Sequence, residues 1–185
     1  MNVTIYSHNN PSDNSVSTAK NLARNLELID GILSDNDCKS IIKQTMKQKQ
    51  KLNYKCTDLR IDAFKNGVGV ISAMGTTANI SRRVLSSIHY HKSKMISEII
   101  FVCQSPVNAW YQHNHTKSKP QSSNGNRATS KVLTSLVEHL GDTIEFPVIV
   151  IELNDQKAIS DFHRTMGKSE IYLANDYKID WNILE

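Results

Sequence analysis

Only three cysteines, four prolines and seven glycines occur among the 185 residues. Cys38, Cys56 and Cys103 are odd in number and fit no metal-site spacing, which excludes a disulfide framework, zinc fingers and CxxC redox chemistry. Reduced thiols of that kind predict a cytoplasmic protein. No apolar run reaches 18 residues, so no membrane partner is expected. The opening MNVTIYSHNN has neither the basic nor the apolar region of a secretory signal. An apolar content of 39% over this length predicts one domain with a real core.

Acidic side chains are nearly missing from the middle of the chain. Residues 39–131 hold sixteen Lys and Arg against Asp58, Asp62 and Glu98, a net +13. The flanks are acidic, −3 over residues 1–38 and −6 over residues 132–185, so the overall +4 hides a strong polarisation. A positive block in a chain of this type is the electrostatic footprint of a polyanion, most often DNA or RNA. Folding of the acidic flanks over the basic middle is the competing explanation.

Strand and helix signals alternate. Asn2 to Tyr6 is β-branched, and Ser15 or Ser17 can cap a helix to about Leu33. Asp35, Asn36 or Asp37 opens a second helix, and Tyr54 to Ile61 reads as a short strand. Gly67 to Ala73 is a firmer strand, followed by a helix from about Ile80. Glu98 to Gln104 could extend that helix, but its β-branched run ending at Ser105-Pro106 favours a buried strand. A helix over Val107 to Gln112 precedes a flexible loop at about 113–127. Thr129 to Leu140 is helical, Pro147 to Leu153 a strand, Asp155 to Met166 a helix and Glu170 to Ala174 a last strand. The alternation predicts a single three-layer α/β domain with a mostly parallel central sheet flanked by helices.

Several side-chain patterns can carry chemistry. Lys39, Lys43, Lys47 and Lys51 follow one another at i+4, a cationic ridge on the second helix, and Arg60, Arg82 and Arg83 extend it. Like charges so spaced cost a few tenths of a kcal/mol per pair, a cost that bound phosphates offset. A solvated helix face is the ordinary alternative. Two H-x-H pairs, His89/His91 and His113/His115, could supply acid/base groups for a phosphodiester if the fold brings them together. Isolated, they are surface histidines. Glu152 and Asp155 stand at the end of the best strand, where oxygen ligands can hold Mg²⁺; helix-start acids look the same in sequence. Gly75 to Asn79 between strand and helix can cradle an anion or simply cap the helix. Ser7 to Asp13 follow the first strand, where doubly wound sheets place ligands.

Two family resemblances overlap these patterns. Tyr6, Asp58-Leu59-Arg60, the strand Gly67 to Ser72, Thr76-Thr77, Arg82-Arg83 and Ile96-Ser97-Glu98-Ile99 fall in an order that resembles serine recombinase (resolvase/invertase) catalytic domains. That resemblance spans about the first 100 residues and implies DNA strand cutting, with His8 where the family has Arg and Asn10 where it has the nucleophilic Ser. Ile5-Tyr6-Ser7-His8 with Asp13, Phe101 to Trp110 and Phe146 to Ile151 are similar to TIR domains. That likeness implies a nucleotide-binding or assembly module, with Asn114 near the position of the NAD-cleaving Glu.

Charge and pattern together predict a nucleic-acid-processing enzyme, an endonuclease cutting phosphodiester bonds with Mg²⁺. Its alternatives are a TIR-like module and a non-catalytic nucleic-acid-binding factor.

Overall fold

The computed structural model describes residues 1–47, 52–53, 60–115, 129–166 and 181–185. Its main sheet contains β1 (Asn2–His8), β4 (Ala63–Lys65), β5 (Val68–Ser72), β6 (Glu98–Gln104), β7 (Val148–Asn154) and β8 (Asn182–Ile183). Two short strands, β2 (Leu52–Asn53) and β3 (Arg60–Ile61), pair separately. The helices are α1 (Asp13–Glu27), α2 (Asp35–Met46), α3 (Thr77–Lys92), α4 (Pro106–His115), α5 (Ser130–Leu140) and α6 (Gln156–Met166).

The sheet order is β4-β5-β6-β7-β1-β8. Among the described strands, only the central three, β5, β6 and β7, run parallel to one another; β4, β1 and β8 each pair antiparallel. The sheet is therefore mixed, with a parallel centre. Strands buried on both faces need apolar residues at every position, and EIIFVCQ is buried throughout. Register follows from that demand: Val70, Ile100 and Ile149 lie side by side on one face, Ile71, Phe101 and Val150 on the other. The first set packs with Leu22 and Leu26 of α1 and Ile42 of α2. The second packs with Ile80 and Val84 of α3 and Leu133 and Val137 of α5. Two helical layers thus sandwich the sheet, and each buried Ile or Leu contributes about 1.5–3 kcal/mol of apolar transfer. A smaller cluster, Val107, Ala158 and Phe162, joins α4 to α6.

Caps explain the helix starts. Ser12 and Ser34 accept from the backbone N–H of Ser15 and Asp37 at the openings of α1 and α2, and Thr129 does so for α5. α2 stops at Met46 because Lys47 turns left-handed, with φ of 51°. Asn66 and Gly67 both take positive φ, 50° and 79°, which joins β4 to β5 by the two-residue turn that antiparallel strands favour.

Some expectations change. β1 does not join the parallel set, so its end at His8 lies beside Val148, at the opposite edge of the sheet from the ends of β5, β6 and β7. Ser7 to Asp13 consequently do not stand where a doubly wound sheet places ligands. α4 runs on to His115, into the segment expected to be loop, and the rest of that segment lies outside the described residues. The expected last strand, Glu170 to Ala174, also lies outside them, as does most of the expected strand Tyr54 to Ile61. Glu98 to Gln104 is a strand, as its β-branched content predicts. Among the described residues no helix is long and apolar enough to cross a membrane.

Candidate functional site

β5 ends at Ser72, and two carboxylates converge on that residue. The Ser72 hydroxyl donates to Asp35 Oδ1 at 2.7 Å, and the Ser72 backbone N–H donates to Asp62 Oδ2 at 2.9 Å. Asp35 is the first residue of α2, and Asp62 lies in the turn between β3 and β4. One residue of a central strand thus fixes acids from two separate elements. Asp62 is 1% exposed, and its Oδ1 has no hydrogen-bond partner among the described residues. A buried carboxylate oxygen without a partner is costly, so this atom marks a place where a ligand would gain most.

Cations surround the pair. Lys39, one turn along α2, bonds to the second oxygen of Asp35. Arg83 of α3 is buried, and loss of hydration pulls its guanidinium below its usual value while the charges of Asp62 and Asp35 pull it back up. Arg60 lies close enough to oppose it. Cys38 sits behind the cluster with its thiol pushed up to about 12, first by burial, while its hydrogen bond with Ser72 works the other way. It stays a neutral thiol. The start of α3 follows β5 directly, so the positive end of a 16-residue helix opens at the same sheet edge. Thr76 precedes it without a side-chain capping bond, and Gly75 turns at φ of 111°.

The predicted basic residues divide. Lys39, Arg60 and Arg83 gather at the cluster, and Arg82, the residue before Arg83 on α3, is exposed. Lys43 continues along α2, Lys47 is its cap, and Lys51 lies outside the described residues. The four-lysine ridge therefore does not persist as one helical face, because the helix ends before Lys47.

The two H-x-H pairs stand on different helices, α3 and α4. His91 stacks on Phe146 and shares Nδ1 with the Ile96 carbonyl at 3.2 Å, while His89 meets Tyr90 edge-on. His115 stacks on Tyr111 at 4.1 Å and lies 4.0 Å from Asp161 of α6. His113 is on α4, and its side chain is outside the described residues. Among the described residues His115 contacts Trp110, Tyr111 and Asp161, whereas His91 contacts Ile96 and Phe146.

Glu152 and Asp155 are also engaged separately. Glu152 accepts from the Ser130 hydroxyl and from Asn154 Nδ2 at 2.9 Å. Burial raises its carboxyl above the ordinary value, against the opposing effect of those two donors. Tyr6, half-buried and near the Glu152 charge, is pushed up to about 12, first by its loss of hydration. Asp155 caps α6 by accepting from the Ala158 N–H at 2.9 Å, and its own backbone N–H donates to Asn108 Oδ1 at 2.9 Å. Among the described residues no three His, Cys, Asp or Glu side chains are arranged to hold a metal ion. The residues that sequence reasoning missed are Asp35, Asp62 and Ser72. Asp62 carried one visible signal, as one of just three acids in the basic block.

No family model matches the chain, and no curated protein matches it by sequence. Its structure is similar to that of the restriction endonuclease BglII, solved in complex with a DNA 16-mer, with a TM-score of 0.59 at 16% identity. The match covers 84% of this chain and 79% of that one. It shows a shared α/β fold.

Proposed function

We propose that this chain is a DNA endonuclease whose reaction centre is the cluster Asp35, Lys39, Asp62, Ser72 and Arg83. The observation that carries the reading is the pair of carboxylates held on one strand-end residue, with an unpartnered buried oxygen and two flanking cations. Likeness in fold to a protein solved on DNA supports it, as does the positive block from which Lys39, Arg60, Arg82 and Arg83 come.

The donor set suits Mg²⁺, a hard cation that takes one or two carboxylates together with substrate oxygens. Asp62 Oδ1 and Asp35 would hold it, and the ion would neutralise charge on the scissile phosphate. The chain's own groups do the rest. Lys39 and Arg83 hold positive charge where the phosphate gains negative charge, in a site partly shielded from water. Ser72 keeps both acids in place through its hydroxyl and its amide. Asp62 fixes the guanidinium of Arg83 by its charge, and the open end of α3 favours an incoming phosphate. Arg82 and Arg60 position the backbone on either side.

A second reading is binding without cleavage. It is favoured by the saturation of Asp35, both of whose oxygens are already occupied by Ser72 and Lys39. Labelled single- and double-stranded DNA incubated with the protein in Mg²⁺ or EDTA separates the two. Strand breaks in Mg²⁺ alone support the endonuclease; retention of intact DNA in both supports the binder. His91→Ala and His115→Ala variants are expected to cut as fast as the native protein.

A further inference from the structure

A polar cleft of about 660 Å³ lies at the far end of α2 from Asp35, between α1, the last turn of α2 and the β4–β5 turn. Three cations line it: Lys20 and Arg24 from α1 and Lys65 from β4. Asn14, Asn21 and Asn66 add amides, and Asp13 is its one carboxylate. The side chains of Lys20, Arg24 and Lys65 make no ion pair or hydrogen bond with any described residue. Lys20 and Arg24 stand at i+4 on α1, an arrangement that destabilises a helix by itself. Three cations without ion-pair partners, against one carboxylate, and three amides facing one cavity form the chemistry that receives phosphate oxygens and sugar hydroxyls.

We propose that this cleft is a second anchoring site for the phosphate backbone of the same DNA, an inference that rests on the endonuclease reading. α2 sets the spacing. Asp35 and Met46, at its two ends, are separated by about 16.5 Å at 1.5 Å per residue. Duplex DNA advances about 3.4 Å per base pair, so the two sites are about five base pairs apart along the axis. Lys43 lies on the helix between them. A duplex gripped at both ends of α2 has its scissile phosphate fixed in register, which binding at one end does not achieve.

The test is the salt dependence of binding to a 20-base-pair duplex, measured in EDTA so that nothing is cut. Lys20→Gln/Arg24→Gln/Lys65→Gln is compared with Lys92→Gln/Lys94→Gln/Lys157→Gln, which removes the same charge elsewhere. The first variant is expected to lower the slope of log Kobs against log salt by about 2 to 3, near 0.9 per lost phosphate contact, and the second by less than about 1. Equal slopes for the two variants overturn the inference and leave the endonuclease reading standing. If the native protein does not bind the duplex at all, both fall together. Tripolyphosphate, titrated alone, distinguishes a free-phosphate site: native binding that the first variant abolishes, with the DNA slope unchanged, also overturns the backbone contact.

Discussion

Asp62 offers a perturbation that separates architecture from chemistry. Its carboxylate accepts the Ser72 backbone N–H at 2.9 Å in a setting where the residue is 1% exposed. Asp62→Ala removes the acceptor and leaves a buried amide with no partner, at a cost of about 1–3 kcal/mol. It also strips Arg83 of the leading charge that opposes its desolvation. With a urea slope of about 2 kcal/mol/M, the midpoint should fall by about 0.5–1.5 M. Asp62→Asn keeps a carbonyl oxygen for the same amide but gives up the charge, and a neutral hydrogen bond contributes about 1 kcal/mol less than a charged one. Its midpoint should fall by about half as much. The assay is equilibrium urea unfolding followed by far-UV circular dichroism on the three proteins. An Ala variant with an unshifted midpoint, or an Asn variant as damaged as Ala, would refute the reasoning about the Ser72 amide.

Other outcomes follow from the same geometry. Glu152 has a folded-state carboxyl above its ordinary 4.5, so the unfolded chain loses that proton first and stability falls as pH rises from the ordinary to the raised value. Glu152→Gln, which still accepts from Ser130, should therefore be more stable than the native protein at pH 7, with the difference vanishing toward pH 3; an equal difference at both pH values contradicts this. Lys39→Met should lower strand cleavage by about 10²-fold or more, as loss of one charge-stabilising donor does, while moving the urea midpoint by less than about 0.5 M. Ile100→Ala, at a fully buried position of the central strand, should cost about 2–5 kcal/mol and leave cleavage by the folded fraction unchanged.

Much of the layered fold is legible in the sequence, because buried parallel strands leave a plain signal. PVIVIEL and EIIFVCQ are continuous, β-branched and bounded by turn residues, and both are central strands. Strand direction is another matter. NVTIY fits a parallel or an antiparallel partner equally well, and β1 pairs antiparallel through contacts 140 and more residues away, such as Ile5 with Ile151. The β4–β5 hairpin has a local signature in Asn66-Gly67, the pair that a two-residue turn with positive φ demands, but the short β4 before it lacks the β-branched run that makes GVGVISA a plain strand signal. The site shows a similar limit. Charge marked Lys39 and Arg83, but sequence spacing cannot show that residues 35, 62 and 72 meet. The histidine pairs stand out through a short-range repeat, but that repeat cannot show that they lie on two helices, α3 and α4, where His91 meets Phe146 and His115 meets Tyr111.

Strand scission by native protein and Asp62→Asn, compared on one end-labelled duplex in Mg²⁺, tests the reaction centre most directly. With both proteins shown to be folded at the assay temperature, cutting by the native protein and a loss of at least about 10²-fold in the variant is the predicted result. Equal rates of cutting would contradict the assignment of chemistry to this cluster.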